Sequence, residues 1–224
     1  MINKKVKMFV LRFNTDKRIK EDVSKLRGYI GNKFAQYPIL HHHVHNGKSL
    51  YTYPKVQYKI IDGNAILVGI NEGADVLKEI SDKIETLVLG ESLYKVSSIQ
   101  MNQMNAELGE CRENYQYRFL TPWLGLNPKN YEKYKMMHEL KERKLLLNNI
   151  LVGNILSMCK GFDFVVSKNL YVHSLLNEEK TSYKAVPMIG FTGEFKVNFK
   201  IPNFFGIGKG VSTGFGTVKR SINK

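Results

Sequence analysis

Lys55-Val56-Gln57-Tyr58-Lys59-Ile60-Ile61-Asp62-Gly63-Asn64-Ala65-Ile66-Leu67-Val68-Gly69-Ile70 reads as two apolar strands folded back on one another. Both arms are rich in β-branched residues, which suit a pleated, buried surface. Asp62-Gly63-Asn64 between them accepts the positive φ angles of a tight hairpin. Upstream, Val6 to Phe13 (VKMFVLRF) is a further buried strand. Ile19, Val23, Leu26, Ile30 and Phe34 recur at three- to four-residue spacing and predict a helix over 19–34, with Asp16 as its cap. Gly28 and Gly31 weaken its last turn. Downstream, Ala74 to Leu87 is a helix, with Val76, Leu77, Ile80, Ile84 and Leu87 on one side. Glu91 to Met101 alternates as a fourth strand. The order β-α-β-β-α-β is that of a ferredoxin-like, RRM-like unit.

The second half repeats the idea loosely. Residues 102–113 are polar and aperiodic, which makes them the expected linker. Tyr115 to Leu120 reads as a strand, 121–128 as a turn-rich segment, and Tyr131 to Met158 as one long helix. Phe164 to His173, Ala185 to Phe191 and Glu194 to Ile201 are strand-like. The expected fold class is therefore α+β: two tandem ferredoxin-like domains over 1–104 and 114–224. The second is degenerate, its second helix short or missing, and it ends in a glycine-rich loop. A length of 224 residues accommodates two domains of about a hundred residues each.

Thirty-four Lys and Arg against 20 Asp and Glu leave a formal charge of +14, which points to a polyanionic partner, nucleic acid above all. A hydrophobic share of 43% supports a packed core and argues against disorder. Cys111 and Cys159 lie far apart without CxxC spacing, so neither a disulfide framework nor a structural zinc site is implied. No run approaches the ~18 apolar residues of a membrane span. The expectation is a cytoplasmic protein with no membrane association.

Two segments carry chemistry. Phe205-Gly206-Ile207-Gly208-Lys209-Gly210-Val211-Ser212-Thr213-Gly214-Phe215-Gly216-Thr217-Val218-Lys219-Arg220 places Gly206, Gly208, Gly210, Gly214 and Gly216 within eleven positions. Glycines allow backbone N–H groups to approach a ligand closely, and Lys209, Lys219 and Arg220 add positive charge suited to a sugar-phosphate chain. A P-loop is excluded because the lysine is not followed by Ser or Thr and no helix of useful length follows. A plain glycine-containing hairpin is the bland alternative.

The other segment is Leu40-His41-His42-His43-Val44-His45-Asn46-Gly47-Lys48-Ser49-Leu50-Tyr51-Thr52-Tyr53-Pro54, with four of the six histidines within five residues. Imidazole titrates near neutrality and suits moving a proton on or off a hydroxyl. Lysine or a phenol can hydrogen-bond charge that grows on a phosphate. A metal site, a solvated loop and ordinary strand tyrosines are the competing readings. Phe204, Phe205, Tyr171 and Trp123 are candidates for stacking on bases, against the commoner role of core packing.

The ending GIGKGVSTGFGTV resembles the glycine-rich loop of CRISPR repeat-processing endoribonucleases, members of the RAMP superfamily of tandem ferredoxin-like proteins. The His-x-His, Tyr-x-Tyr-Pro and Gln-Tyr-Lys order across 41–59 is similar to one branch of that family, so the resemblance spans nearly the whole chain. It implies cutting of precursor CRISPR RNA without metal or cofactor. A ribose 2′-hydroxyl attacks the scissile phosphate and leaves a 2′,3′-cyclic phosphate and a 5′-hydroxyl. The family's histidine pair maps onto His41 and His43 and its tyrosine onto Tyr51. His45 makes a second His-x-His with His43, and Tyr53 is an alternative to Tyr51, so both assignments stay open. His43 is the expected principal proton-transfer residue, with acid and base roles unassigned, and Lys33 is an expected phosphate contact. The expected partner is CRISPR repeat RNA, with other effector subunits as further candidates, and the protein a monomer or homodimer. The alternative function is that of a non-catalytic RNA-binding RAMP subunit.

Overall fold

The computed structural model describes residues 3–41 and 53–221, and the chain divides into two compact units. One comprises Lys5–Ala106 together with Ser212–Gly214, and the remaining chain forms the other.

The first unit runs β1 (Asn3–Thr15), α1 (Val23–Lys33), β2 (Val56–Ile61), β3 (Asn64–Ile70), α2 (Glu72–Ile80), β4 (Thr86–Leu89) and the start of β5 (Ser92–Trp123). Its strand order is β2-β3-β1-β5, with β3 antiparallel to both neighbours (Tyr58 opposite Leu67, Val10 opposite Val68). This is the ferredoxin-like arrangement. Asp62 and Gly63 turn the hairpin with φ of 52° and 75°. Asp-Gly supplies that left-handed pair at low cost. Phe9, Leu11 and Phe13 of β1, Leu26 and Ile30 of α1, and Leu77 and Ile80 of α2 share one core.

Three local expectations shift. The first helix starts at Val23, capped by Asp22, whose carboxylate accepts from the Ser24 amide at 2.7 Å. Asp16 instead accepts from the Lys95 amide at 3.0 Å and secures a strand edge. Ile19 extended the apparent helical period because it enters the same core from non-helical backbone. The second helix ends at Ile80, and Leu87 belongs to β4. Here too the apolar spacing reports the core rather than the backbone. Residues 102–113 do contain the division between the two units, at Ala106/Glu107, but as continuous strand rather than loop, because β5 runs unbroken through them. Residues 101–105 are exposed on both sides of the strand, so no buried face left an alternating pattern to read.

The second unit contains the rest of β5, α3 (Pro128–Met136), α4 (Leu140–Lys160), β6 (Val172–Tyr183), β7 (Val186–Lys200) and β8 (Val218–Arg220). Its sheet order is β5-β7-β6, and β8 pairs with β5 through Phe119 and Val218. The single long helix is in fact two. Asn127 caps α3 through the Asn130 amide, Pro128 sits in its first turn, and Met137 adopts extended backbone before α4. Both are ordinary helix-start devices. The strand forecast over 164–173 begins only at Val172, and the forecast break within 185–201 is absent. Gly193 keeps β7 continuous: its φ is +117° and a Cβ there would stand 2.3 Å from the Leu175 carbonyl oxygen. Among the described residues only a 3₁₀ turn, Val211–Thr213, lies between β7 and β8, so this ferredoxin-like unit is degenerate. Its core is aromatic, with rings packed at the separations typical of offset and tilted pairs. Phe119 contacts Trp123 at 5.8 Å and Phe195 at 5.1 Å, and Trp123 meets Phe191 at 5.8 Å. No helix among the described residues is long and apolar enough to cross a membrane.

Candidate functional site

His41 follows a 3₁₀ turn, Pro38–Leu40, and its amide donates to the Pro38 carbonyl at 3.0 Å. Three groups hold this point. The Tyr58 hydroxyl donates to the Leu40 carbonyl at 3.0 Å. The Arg27 guanidinium donates from one nitrogen to the His41 carbonyl and from the other to the Ser212 hydroxyl at 3.4 Å. The His41 imidazole rests over Gly31, where an added Cβ would lie 2.6 Å from its Cε1. Arg27 and Gly31 stand four residues apart on α1 and so share one face. Burial pushes the Tyr58 hydroxyl well above the usual phenol range, and the charge of Arg27 opposes that shift.

The tip of the glycine-rich segment belongs to the same unit. Gly214, at φ +87°, lies against β2, where a Cβ would stand 2.9 Å from the Tyr58 carbonyl oxygen and 3.4 Å from Lys59 Cα. No L-side chain would fit there without strain. Lys59 itself is 0% exposed. Its ammonium donates to Gln57 Oε1 at 3.0 Å, and desolvation lowers its pKa to about 7. His41, Arg27, Ser212 and Gly214 thus belong to one compact unit, with Gly214 against the main chain of Tyr58 and Lys59.

Lys33 is placed elsewhere. It lies on another face of α1, beside an open groove of about 520 Å³ lined by Lys25, Tyr29, Asn32, Val88 and Gly90. Its ammonium sits 5.8 Å from the Tyr29 and Phe34 rings. Tyr53 is buried. His42, His43, His45 and Tyr51 lie outside the described residues.

In the second unit the main chain of the glycine segment is bonded to itself and to residues 122–124. The amides of Ile207, Lys209, Phe215 and Gly216 donate to the carbonyls of Gly216, Leu124, Gly210 and Pro122 at 2.9–3.2 Å. Gly208 lies where a Cβ would meet Trp123 Nε1 at 2.7 Å, and Gly216 where one would meet the Ile207 carbonyl oxygen at 2.0 Å. Gly206 and Gly210 are likewise packed, against Val211 and Phe215. These glycines therefore let the main chain pack on itself, and those four amides do not face outward as the sequence suggested. Charge remains on the surface, where Lys209, Lys219 and Arg220 are all exposed. The Lys209 ammonium is 5.1 Å from the Tyr183 ring, and the Arg220 guanidinium is 3.9 Å from the Tyr115 ring. Both are cation–π distances. Of the stacking candidates, Trp123 and Phe205 are core residues, with Trp123 Nε1 donating to Asn154 Oδ1 at 3.0 Å. Phe204 is half-buried, whereas Tyr171 is 68% exposed.

Sequence reasoning passed over Arg27 and Lys59. The signal for Lys59 was a lysine inside an otherwise buried strand, at two-residue spacing from Gln57. Arg27 gave none, because one arginine on a basic helix has no distinguishing spacing.

The family model for the Cas6b N-terminal domain matches residues 4–107, and that for the Cas6b C-terminal domain matches residues 109–221. A crystal structure of Cas6b superposes with a TM-score of 0.90 at 33% identity, covering 97% of this chain and all of that one. A crystal structure of the CRISPR RNA processing endoribonuclease Cas6b gives 0.77 at 32% identity, over 96% of this chain and all of that one. The uncharacterized protein MJ0978 of Methanocaldococcus jannaschii is 44% identical over 143 residues, which are 63% of this chain and 97% of that protein. With its two halves matched in order and its whole length superposed, the chain belongs to the Cas6b family.

Proposed function

We propose that this chain is the endoribonuclease that cuts precursor CRISPR RNA within its repeats, by attack of a ribose 2′-hydroxyl on the adjacent phosphate. The observation that carries the reading is the meeting of His41 and Ser212 on the two arms of Arg27. It brings the start of the histidine run and the tip of the glycine segment to one place.

The reaction needs a base for the 2′-hydroxyl, an acid for the departing 5′-oxygen and positive density at the phosphate. In this reading His43 is the main proton-transfer group, His41 and Tyr51 assist it, and a cyclic phosphate and a 5′-hydroxyl result. No metal or cofactor enters the chemistry. Lys209, Lys219 and Arg220 hold the sugar-phosphate chain through side-chain charge. Lys33, on its separate face, contacts RNA outside the cleavage point. The glycines at 206, 208, 210, 214 and 216 serve RNA by shaping the support for those side chains. The proposed domains are 1–104 for catalysis and 114–224 for RNA holding.

The test is incubation of the purified protein with its repeat RNA in EDTA, followed by end-group analysis. Cutting that leaves a cyclic phosphate, and that stops when the nucleotide at the site is 2′-deoxy, is the expected result. Tight binding without cutting would instead make the chain a scaffold subunit. Silencing by chelator would make it a metal nuclease.

A further inference from the structure

Arg27 touches both the segment leading into the histidine run and the tip of the glycine-rich segment. We propose that Arg27 is a positioning residue for RNA cleavage, fixing His41 and Ser212 in register with one another. The proposal rests on the nuclease reading above and adds to it a named device for alignment.

The geometry favours an arginine. Its planar fork carries N–H groups in divergent fixed directions, so one nitrogen reaches a main-chain carbonyl while the other reaches a hydroxyl. A lysine has a single point of charge and would satisfy one acceptor well and the other poorly. Arg27 is half-buried, which strengthens both bonds relative to open water. The held atom also matters. The His41 carbonyl is main chain, so the bond fixes the backbone from which His42 and His43 continue, whatever the His41 ring does. The neighbouring carbonyl, of Leu40, is fixed independently by Tyr58. Two successive carbonyls are thus anchored from two different elements. Such a double anchor restrains the direction of a chain as well as its location.

A purely structural role fits less well. α1 is seated by Leu26 and Ile30, both fully buried, and its start is capped by Asp22. The described hydrogen bonds of the Arg27 side chain go to two connecting segments and none to another strand or helix of the sheet. Removing it should leave the fold and disturb the alignment. Misplacement of a catalytic group by about 1 Å costs on the order of 10²-fold in rate.

The experiment measures single-turnover cleavage at saturating protein, alongside affinity for a repeat carrying a 2′-deoxy nucleotide at the cut site. Wild type is compared with Arg27→Met, Arg27→Lys, Ser212→Ala and the Arg27→Met/Ser212→Ala pair. Arg27→Met should slow cutting by about 10- to 100-fold. Affinity should stay within about 3-fold, since the lost bonds are internal to the protein. Arg27→Lys should recover part of the rate. Ser212→Ala should slow cutting several-fold, and the pair should be no slower than Arg27→Met alone, because both changes break one linkage. If Arg27→Met does not fold, the lysine variant with and without Ser212→Ala makes the same comparison. Wild-type rates in the single variants, or multiplicative effects in the pair, overturn the proposal. Loss of affinity at unchanged cleavage rate also overturns it and makes Arg27 an RNA contact. A wild-type protein that binds the repeat and never cuts it removes the nuclease reading itself, a failure visible before any variant is compared.

Discussion

The His41 imidazole lies over Gly31, so close that a methyl group on that glycine would stand 2.6 Å from the ring's Cε1 and 2.8 Å from its Nδ1. Two effects of Gly31→Ala therefore oppose each other. Alanine is favoured over glycine by up to about 1 kcal/mol in a helix interior, and by less in the last turn where Gly31 lies, while the ring must swing aside. A histidine ring on a short connecting turn moves cheaply. We expect the urea midpoint to hold or rise slightly while cleavage falls about 10-fold, a scale set by misplacement of a proton-transfer group. Full cleavage in the alanine variant would separate His41 from the reaction.

His43→Ala should lower the single-turnover rate by roughly 10²–10⁴, the usual contribution of a general acid or base. Binding of the 2′-deoxy repeat should be unchanged. The two His-x-His pairs share His43, so the choice between them falls to His41→Ala and His45→Ala assayed in parallel: only one of those two should add a large loss.

Lys209→Ala tests the charge carried by the glycine segment. Each phosphate contact releases condensed counterions, and for single strands the logarithm of affinity falls by about 0.7 per contact per decade of salt. Binding titrations between low and moderate salt should give a shallower slope for the variant and little change in its saturating cleavage rate. An identical slope would assign Lys209 to its stack on Tyr183 alone.

Lys59 makes stability depend on pH in a stated direction. Its folded value of about 7 lies below the roughly 10.4 of an unfolded lysine. Between those values the unfolded chain binds more protons than the folded one, so stability rises with pH, by at most about 1.4 kcal/mol per unit. Lys59→Met removes this contribution. Urea midpoints at pH 7, 8 and 9 should climb more steeply for wild type than for the variant, and parallel curves would show that the ammonium is not desolvated.

Most of the architecture was readable because periodicity tracks burial. The 55–70 hairpin was found at nearly its observed bounds, since its buried face is apolar and its turn chemistry local, and β1 was found by its buried centre, with the exposed residues at its start left out. The failures share one cause. Ile19, Ile84 and Leu87 reach the core from irregular or strand backbone, and a helical period cannot tell that from a helix. β5 was missed at 102–113 because 101–105 are exposed on both faces while 108–110 are buried in succession, so neither stretch alternates. For the site, the sequence pointed to the His-rich and glycine-rich segments, and it misjudged what the glycine amides do. Gly208 and Gly216 looked like openings for a ligand and are contacts for Trp123 and Ile207. Whether an amide points inward depends on partners more than eighty residues away, such as Pro122 and Leu124. Arg27 was invisible for the same reason, since one of its two partners lies 185 residues distant.

The main-chain bonding of the glycine segment has a thermodynamic corollary. Freezing a flexible stretch upon association costs about 1–2 kcal/mol per residue, and here that ordering is complete once the protein has folded. In the function proposed above, an incoming strand would meet a support that is already ordered. Its grip at the base of the segment should show a small entropic penalty by calorimetry, and amide exchange at Ile207, Lys209 and Gly216 should already be slow before any strand arrives.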